Sequence, residues 1–269
     1  MHLSKEEQIL LQHFNDMIQL SYQRGIPVYS QFAGLHEMSL AYRAMDDFYH
    51  GNWQEGKQAV FAGGYPDAER KIICFLPEQG DCYIDSLDFP IACVRIKPVN
   101  KRFCDSLNHR DYLGTVMNLG LTRDQIGDIL VNREEEEAYQ ASTGYIFCKR
   151  EKAELLTELT RIKHTTVASE IISGEEFVWE PEFKEISGSV SSFRLDAVLS
   201  VAVKTSRSQG LLLIQSGNVF LNGRCCTENA KKLAEGDVFS VRGYGKFIFE
   251  KISARSKKER YHITLKQYI

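Results

Sequence analysis

Eight side chains in the last third of the chain have the types and spacing to grip a polyanion: Arg194, Lys204, Ser206, Arg207, Gln209, Arg224, Arg242 and Lys246. The cations would neutralise phosphates, and arginine adds a planar fork that meets two phosphate oxygens at once. Ser206 and Arg207 stand where a helix should begin, and a helix start offers unpaired N–H groups to an anion. The competing reading is a solvated face with local ion pairs, such as Arg194 with Asp196. Spacing alone does not put these side chains on one surface.

The elements that must position them are written in the same stretch. Leu195, Val198, Leu199 and Ala202 recur at i, i+3, i+4 and i+7, the stripe of a buried helix face. Ser206 and Gln209 have capping-box spacing and open a second helix. Gly217 is placed to end it, because glycine enters the left-handed conformation at little cost. Val219 and Leu221 then face one way on a strand, and Asn222-Gly223 signals a hairpin. Two short helices packed on a β-hairpin follow, with Arg194, Lys204, Arg207 and Arg224 pointing off the apolar faces. Further strands read at Asp237–Val241, Lys246–Ile252 and Tyr261–Leu265, around Gly243-Tyr-Gly245.

This run resembles the S4 RNA-binding domain. The residues that carry the resemblance are Arg194-Leu195-Asp196, Ser206-Arg207 and Gly217 through Gly223, which reads GNVFLNG. Two positions depart from the family pattern: Gly210 stands where Ala is usual, and Leu221 where Val is common. Glycine inside a helix costs roughly 1 kcal/mol relative to Ala. The resemblance implies that the cations above share one RNA-facing surface.

Charge supports a polyanion partner for this module. Residues 183–269 hold 15 Lys/Arg against 7 Asp/Glu, a net of +8, although the whole chain is at −3. The first 182 residues therefore carry −11. A basic module on an acidic body suits electrostatic docking to nucleic acid.

Upstream, 269 residues leave room for two further domains. Ser4 with Glu7 predicts a capped helix carrying an apolar stripe from Ile9 to Leu20. A second helix reads near His36–Phe48, and strands read at Gln58–Ala62 and Arg70–Leu76, joined by Gly63-Gly64-Tyr65-Pro66. Residues 91–173 read as β-α-β-β-α-β, with strands at Ile91–Val99, Ile129–Val131, Gly144–Cys148 and Thr165–Ile171 and helices from His109 and over Glu151–Ile162. That is the ferredoxin-like order of RRM modules. RRMs stack bases on sheet aromatics; only Tyr145 and Phe147 are candidates, and ordinary strand packing is the favoured reading for both. Glu134–Glu137 reads as a solvated loop, and Ser187–Ser192 as a flexible linker or an extended lead-in. The fold class is α+β and multidomain: an N-terminal α+β domain over 1–90, an RRM-like domain over 91–180 and an S4 domain over 183–269.

Other chemistries find no support. His109-Arg110-Asp111 has the triplet of a kinase catalytic loop, but position 116 is Val where that loop needs Asn. Gly63-Gly64 lacks dinucleotide-loop spacing, and no P-loop, G-x-S-x-G or H-E-x-x-H occurs. The seven cysteines form no C-x-x-C and have no His at metal-ligand spacing, so they read as reduced core thiols. No catalytic residue, metal or cofactor is expected. The N-terminus lacks a signal-peptide core, and no stretch approaches the ~20 apolar residues of a membrane span. The expected setting is soluble and cytoplasmic, with a monomer favoured.

Longer segments narrow the family. Gly63-Gly-Tyr-Pro-Asp-Ala-Glu-Arg70, Leu107-Asn-His-Arg-Asp-Tyr-Leu-Gly114, Asp124-Gln-Ile-Gly-Asp-Ile129 and Val241-Arg-Gly-Tyr-Gly-Lys-Phe247 are similar to segments of the YlmH family of bacterial S4-domain proteins. The resemblance runs from about residue 55 to the end. It implies the three-domain architecture above and a role in ribosome quality control. Its members bind the large (50S) subunit obstructed by peptidyl-tRNA and support template-independent tailing of the stalled chain. The partners it implies are ribosomal RNA, tRNA and the 50S subunit. Two alternatives stand beside this non-enzymatic reading: an RNA-modifying enzyme targeted by its S4 domain, and a cell-division adaptor.

Overall fold

Ser4 opens the first helix, α1 (Lys5–Arg24), by accepting from the Glu7 N–H at 3.1 Å, while its own N–H donates to the Glu7 carboxylate at 2.6 Å. Gly25 ends it at φ 65, a left-handed conformation. Phe14, Met17 and Ile18 lie on its buried face. This is a computed structural model, and it describes residues 3–77, 84–136, 139–177, 179–255 and 260–269. The chain forms two compact units, Met1–Trp179 and Glu180–Ile269.

In the first unit, α1 and α2 (Leu35–Phe48) cover a small antiparallel sheet. Its strands are β1 (Val28–Ala33), β2 (Ala59–Ala62) and β3 (Lys71–Phe75), in the order β1-β3-β2. Ile18, Ala41, Met45, Ile73 and Phe75 meet in its core. β1 was not expected from the sequence.

The rest of that unit has the β-α-β-β-α-β order, on strands β4 (Ile91–Pro98), β5 (Ile126–Glu136), β6 (Tyr139–Lys149) and β8 (Thr165–Ile172) with helices α3 (His109–Asn118) and α4 (Ala153–Thr157). A two-residue strand, β7 (Arg161–Ile162), adds an edge, and the sheet runs β5-β6-β4-β8-β7 with every pair antiparallel. Without β7 this is the RRM strand order.

Two expectations need correction here. The helix expected over Glu151–Ile162 stops at Thr157. Leu159 and Ile162 are buried all the same, through a turn and β7. Lys163, at φ 51, makes the tight reversal that lets Ile162 pair with Thr165. Glu134–Glu136, expected in a loop, continue β5 and pair with Ala141, Gln140 and Tyr139; Glu137 lies outside the described residues.

The second unit is one antiparallel sheet with two helices on one face. Its strands are β9 (Phe183–Val190), β10 (Val219–Leu221), β11 (Arg224–Cys225), β12 (Val238–Val241), β13 (Gly245–Arg255) and β14 (Tyr261–Tyr268), in the order β11-β10-β12-β13-β14-β9. Ser187–Val190 are strand, not flexible linker, with Ser187 opposite Thr264 and Ser189 opposite His262. The helices are α5 (Leu195–Ala202) and α6 (Arg207–Gln215). Gly188 lets α5 come close to β9, because a Cβ there would sit 2.5 Å from a Val201 methyl. Leu195, Val198, Leu199, Ile214, Val219, Phe239, Phe247 and Ile263 fill the space between helices and sheet.

Cys74, Cys93 and Cys148 are buried, while Cys104, Cys225 and Cys226 are partly exposed. Cys82 lies outside the described residues. Burial pushes the Cys93 and Cys148 thiols up to about 12, so neither is a thiolate at neutral pH.

Candidate nucleic-acid interface

The turn between α5 and α6 gathers four of the eight sequence-selected residues. Val203 ends α5, and Lys204 takes φ 50, which turns the chain sharply. Ser206 then caps α6, its hydroxyl accepting from the Gln209 N–H at 3.2 Å. The reciprocal bond of a full capping box is not formed among the described residues, and the Gln209 side chain stays exposed. Arg207 opens α6 and donates to the Ser191 hydroxyl at 3.0 Å, which ties the helix start to the end of β9. Lys204, Ser206, Arg207 and Gln209 are all exposed.

Arg194 caps the start of α5, only three residues beyond Ser191. Its fork closes on Asp196, with Nε to Oδ1 at 3.0 Å and the second bond at 3.1 Å. That bond holds the Arg194 guanidinium above its ordinary pKa. Arg194 therefore braces the α5 start.

The other three cations lie elsewhere. Arg224 follows the Asn222-Gly223 turn, whose φ values of 48 and 79 make a hairpin reversal of the β10–β11 type. Arg242 is exposed, and its N–H donates to the Asn218 carbonyl, so it flanks the C-terminal end of α6. Gly217 and Asn218 close that end by donating to the carbonyls of Ile214 and Leu213, a Schellman arrangement. Lys246 precedes the core residue Phe247 and so stands on the opposite sheet face, over the Tyr268 ring at 4.4 Å. The structure does not bring Lys246 together with the helix-side cations.

Two basic neighbours were missed in the sequence. Lys232 forms an isolated β-bridge with Arg194, and Arg260 donates to the Ser189 carbonyl beside the Arg207–Ser191 bond. The Lys231-Lys232 pair was visible as charge. Arg260 could not have been placed, since only the β14–β9 pairing brings it to Ser189. Lys257, another charge of that segment, lies outside the described residues.

The middle sheet does not present an RRM stacking face where one would be sought. Tyr145 and Phe147 are 7% and 2% exposed. Tyr65 stacks on Phe147 with ring centres 5.1 Å apart, and Phe177 meets Tyr145 and Phe147 edge-on at 5.2 and 5.1 Å. Both aromatics are packing residues, as their sequence context suggested. The roof is fixed by Asp128, which accepts from the Tyr65 hydroxyl at 2.8 Å and from the N–H groups of Glu69 and Arg70 at 2.7 and 3.1 Å. Burial and the Asp128 carboxylate push the Tyr65 hydroxyl pKa far up. Arg70 is itself turned inward, donating to the carbonyls of Ile126, Phe32 and Arg123. Two of the sequence segments singled out above, 63–70 and 124–129, are thus halves of one structural clasp.

The chain is similar to known proteins in both units. Residues 85–175 match the family described as "Putative RNA-binding domain in YlmH", and residues 193–239 match the S4 domain. Over 212 residues the chain is 31% identical to the ribosome-associated protein quality control protein P2 of Bacillus subtilis (strain 168), covering 77% of each chain. A solved structure, the cell division protein YlmH from Streptococcus pneumoniae, is 22% identical with a TM-score of 0.46, over 65% of this chain and 96% of that one.

Proposed function

Because the chain belongs to the YlmH family of S4-domain RNA-binding proteins, we propose that it binds ribosomal RNA and tRNA on a large ribosomal subunit carrying a stalled peptidyl-tRNA. It acts there by binding rather than by catalysis, in the cytoplasm. The observation that carries this reading is the α5–α6 corner: Lys204, Ser206, Arg207 and Gln209 are exposed side by side at a helix start, on a module of net +8.

The chemistry suits folded RNA. Side chains cannot enter the deep major groove of an A-form helix, so a protein reads its shape and its phosphates. The Gln209 and Gly210 N–H groups are taken by Ser206, so a phosphate bound at the α6 start would accept from the N–H groups of the first two helical residues and from the Arg207 guanidinium. Arg224 and Arg242, at the hairpin and at the far end of α6, extend the positive surface. The Ser191 hydroxyl holds one Arg207 nitrogen, which orients the fork without neutralising it.

The test is co-sedimentation of the full chain with large subunits that retain peptidyl-tRNA, compared with empty large subunits. Preferential binding to the obstructed particle is expected, and Arg207→Ala should weaken it. Equal recovery on both particles would remove tRNA from the proposal. Recovery on neither would remove the ribosome.

A further inference from the structure

We propose that a cleft in the first unit, between α1, β1 and the turn Arg123–Gln125, binds a small zwitterion: an α-amino acid with an apolar side chain, free or as a short peptide. Its residues are not those of the positive corner in the second unit, and its ligand is not RNA.

The cleft has a volume of about 560 Å³, within the ~300–1,000 Å³ of small-molecule sites. Leu10 and Phe14 of α1 and Phe32 of β1 give it an apolar wall. Four charged side chains, Glu37, Arg70, Arg123 and Asp124, line it as well. A few charged groups set in an apolar wall are what orient a small ligand.

Arg70 supplies a cation that the fold holds in place. Its Nε donates to the Ile126 carbonyl at 2.9 Å, and its Nη2 to the carbonyls of Phe32 and Arg123 at 3.2 and 2.8 Å. Nη1 is left over, with no hydrogen bond or ion pair among the described residues. Burial and the Arg123 charge lower the Arg70 pKa, so an anion that met both guanidinium groups would relieve that strain. Arg123 is exposed, and its side chain has no partner among the described residues either.

Glu37 supplies the anion. Its Oε2 accepts from the Gly34 N–H at 2.8 Å, and its Oε1 has no partner among the described residues. A Cβ on Gly34 would sit 2.8 Å from Arg70 Nη1 and 3.0 Å from Glu37 Oε2. The Gly34 φ of −84 is open to any residue, so glycine stands there for room and not for conformation. Nη1 and the Glu37 carboxylate therefore flank one point, and no ion pair joins them among the described residues.

Charge selects the occupant. Two carboxylates repel a chain of phosphates, and two guanidinium groups repel a simple cation. An α-amino acid carries its carboxylate and its ammonium on one carbon, so it can meet Nη1 and the Glu37 carboxylate together. Its apolar side chain then covers Leu10, Phe14 and Phe32.

The test is calorimetric titration of the full chain with L-leucine, L-leucyl-L-leucine, N-acetyl-L-leucine and L-leucinamide. Leucine or the dipeptide should bind, and the tighter of the two identifies the source as free amino acid or peptide. Acetylation removes the ammonium and amidation removes the carboxylate, so each should cost about tenfold or more, one charge-assisted hydrogen bond. Arg123→Ala should weaken leucine by about tenfold for the same reason. Glu37→Gln keeps an oxygen for the Gly34 N–H; it should weaken leucine similarly and leave N-acetyl-leucine within about twofold. Thermal melts confirm that both variants are folded. No binding of leucine or the dipeptide up to ~10 mM overturns the inference. So does N-acetyl-leucine or leucinamide binding as tightly as leucine, or unchanged leucine affinity in both folded variants. If adenosine monophosphate binds instead, in an Arg123-dependent way, the cleft is a nucleotide site and the inference is wrong. RNA binding through Arg207 does not enter any of these measurements, so the two readings fail separately.

Discussion

The Tyr65 hydroxyl donates to the Asp128 carboxylate at 2.8 Å, and this bond sets what the middle sheet can expose. It holds the Tyr65 ring flat against Phe147 and so closes the central aromatics to any base. Asp128 sits on β5 and Tyr65 on a turn between β2 and β3, so the same bond joins the N-terminal sheet to the RRM-like sheet within the first unit. Gly64 makes the approach possible. It has φ +96, and a Cβ there would sit 2.3 Å from the Phe147 ring.

Asp128→Ala should therefore destabilise the first unit markedly. Three donors lose a charged acceptor, and a hydrogen bond to a charged group contributes about 1.5–3 kcal/mol. Since the Glu69 N–H can turn to water, the expected loss is about 2–4 kcal/mol in denaturant unfolding. Tyr65→Phe keeps the ring and loses one bond, about 1 kcal/mol. If Tyr65→Phe proves the more damaging change, Asp128 is not the centre of the clasp.

Acid should weaken a second tether. Burial opposes ionisation of Asp111, but the Lys163 ammonium at 2.6 Å and the Asn108 N–H outweigh it and hold the carboxyl below its ordinary value. A carboxylate depressed by folding binds its proton less readily when folded than when unfolded. Its stabilisation is full above the ordinary carboxylate pKa of about 4 and is lost as pH falls through the folded value. Lys163→Ala should be less stable than the parent at neutral pH, by under ~1 kcal/mol because Lys163 is half exposed. The two should converge below about pH 3. A constant gap across that range would mean that Lys163 acts through packing.

Gly210 and Gly144 should respond in opposite ways to alanine. Gly210 lies inside α6 with ordinary helical space: an added Cβ would meet Leu199 at 3.4 Å and the Asp196 carbonyl at 3.5 Å, both normal contacts. Gly210→Ala should stabilise the second unit by roughly 0.5–1 kcal/mol. In β6, a Cβ on Gly144 would stand 2.3 Å from the ring of Tyr112, which is fully buried. Gly144→Ala should cost about 1–3 kcal/mol or more through overpacking. Thermal melts of both variants decide it.

Local rules made much of this fold legible. The α5 stripe, the Gly217 stop, the Asn222-Gly223 turn and the Ser4 cap all depend on contacts within a few residues, and each appears as read. What was missed depends on distant partners. β1 exists because Val28–Ala33 find β3 at Lys71–Phe75, far along the chain, and its own burial pattern lacks clean alternation. Leu155, Leu156, Leu159 and Ile162 have helical spacing, but a turn and a short strand bury the last two equally well. The cation set was legible as charge and not as geometry. Lys246 alternates onto the far face of the sheet, and Arg260 reaches Ser189 only because β14 pairs with β9.

That separation of faces gives the sharpest test of the proposed interface. Arg207→Ala and Lys246→Ala each remove one positive charge from the second unit, so long-range attraction to RNA falls equally in both. Only Arg207 stands at the α6 start, where the proposed interface has guanidinium and backbone N–H groups share one phosphate. A charge-assisted hydrogen bond lost there should cost about 1.5–3 kcal/mol of binding, roughly tenfold or more in affinity. With ~4–6 phosphate contacts, log K against log salt should fall with a slope of roughly −3 to −5 for the parent. Arg207→Ala should shallow that slope by ~0.7–0.9, one contact's worth, while Lys246→Ala leaves it unchanged. Arg207 is exposed and Lys246 lies on a strand, so melts of both variants show whether the fold survives. If Lys246→Ala loses more affinity and more slope than Arg207→Ala in folded protein, RNA meets the open face of the sheet and not the helical corner.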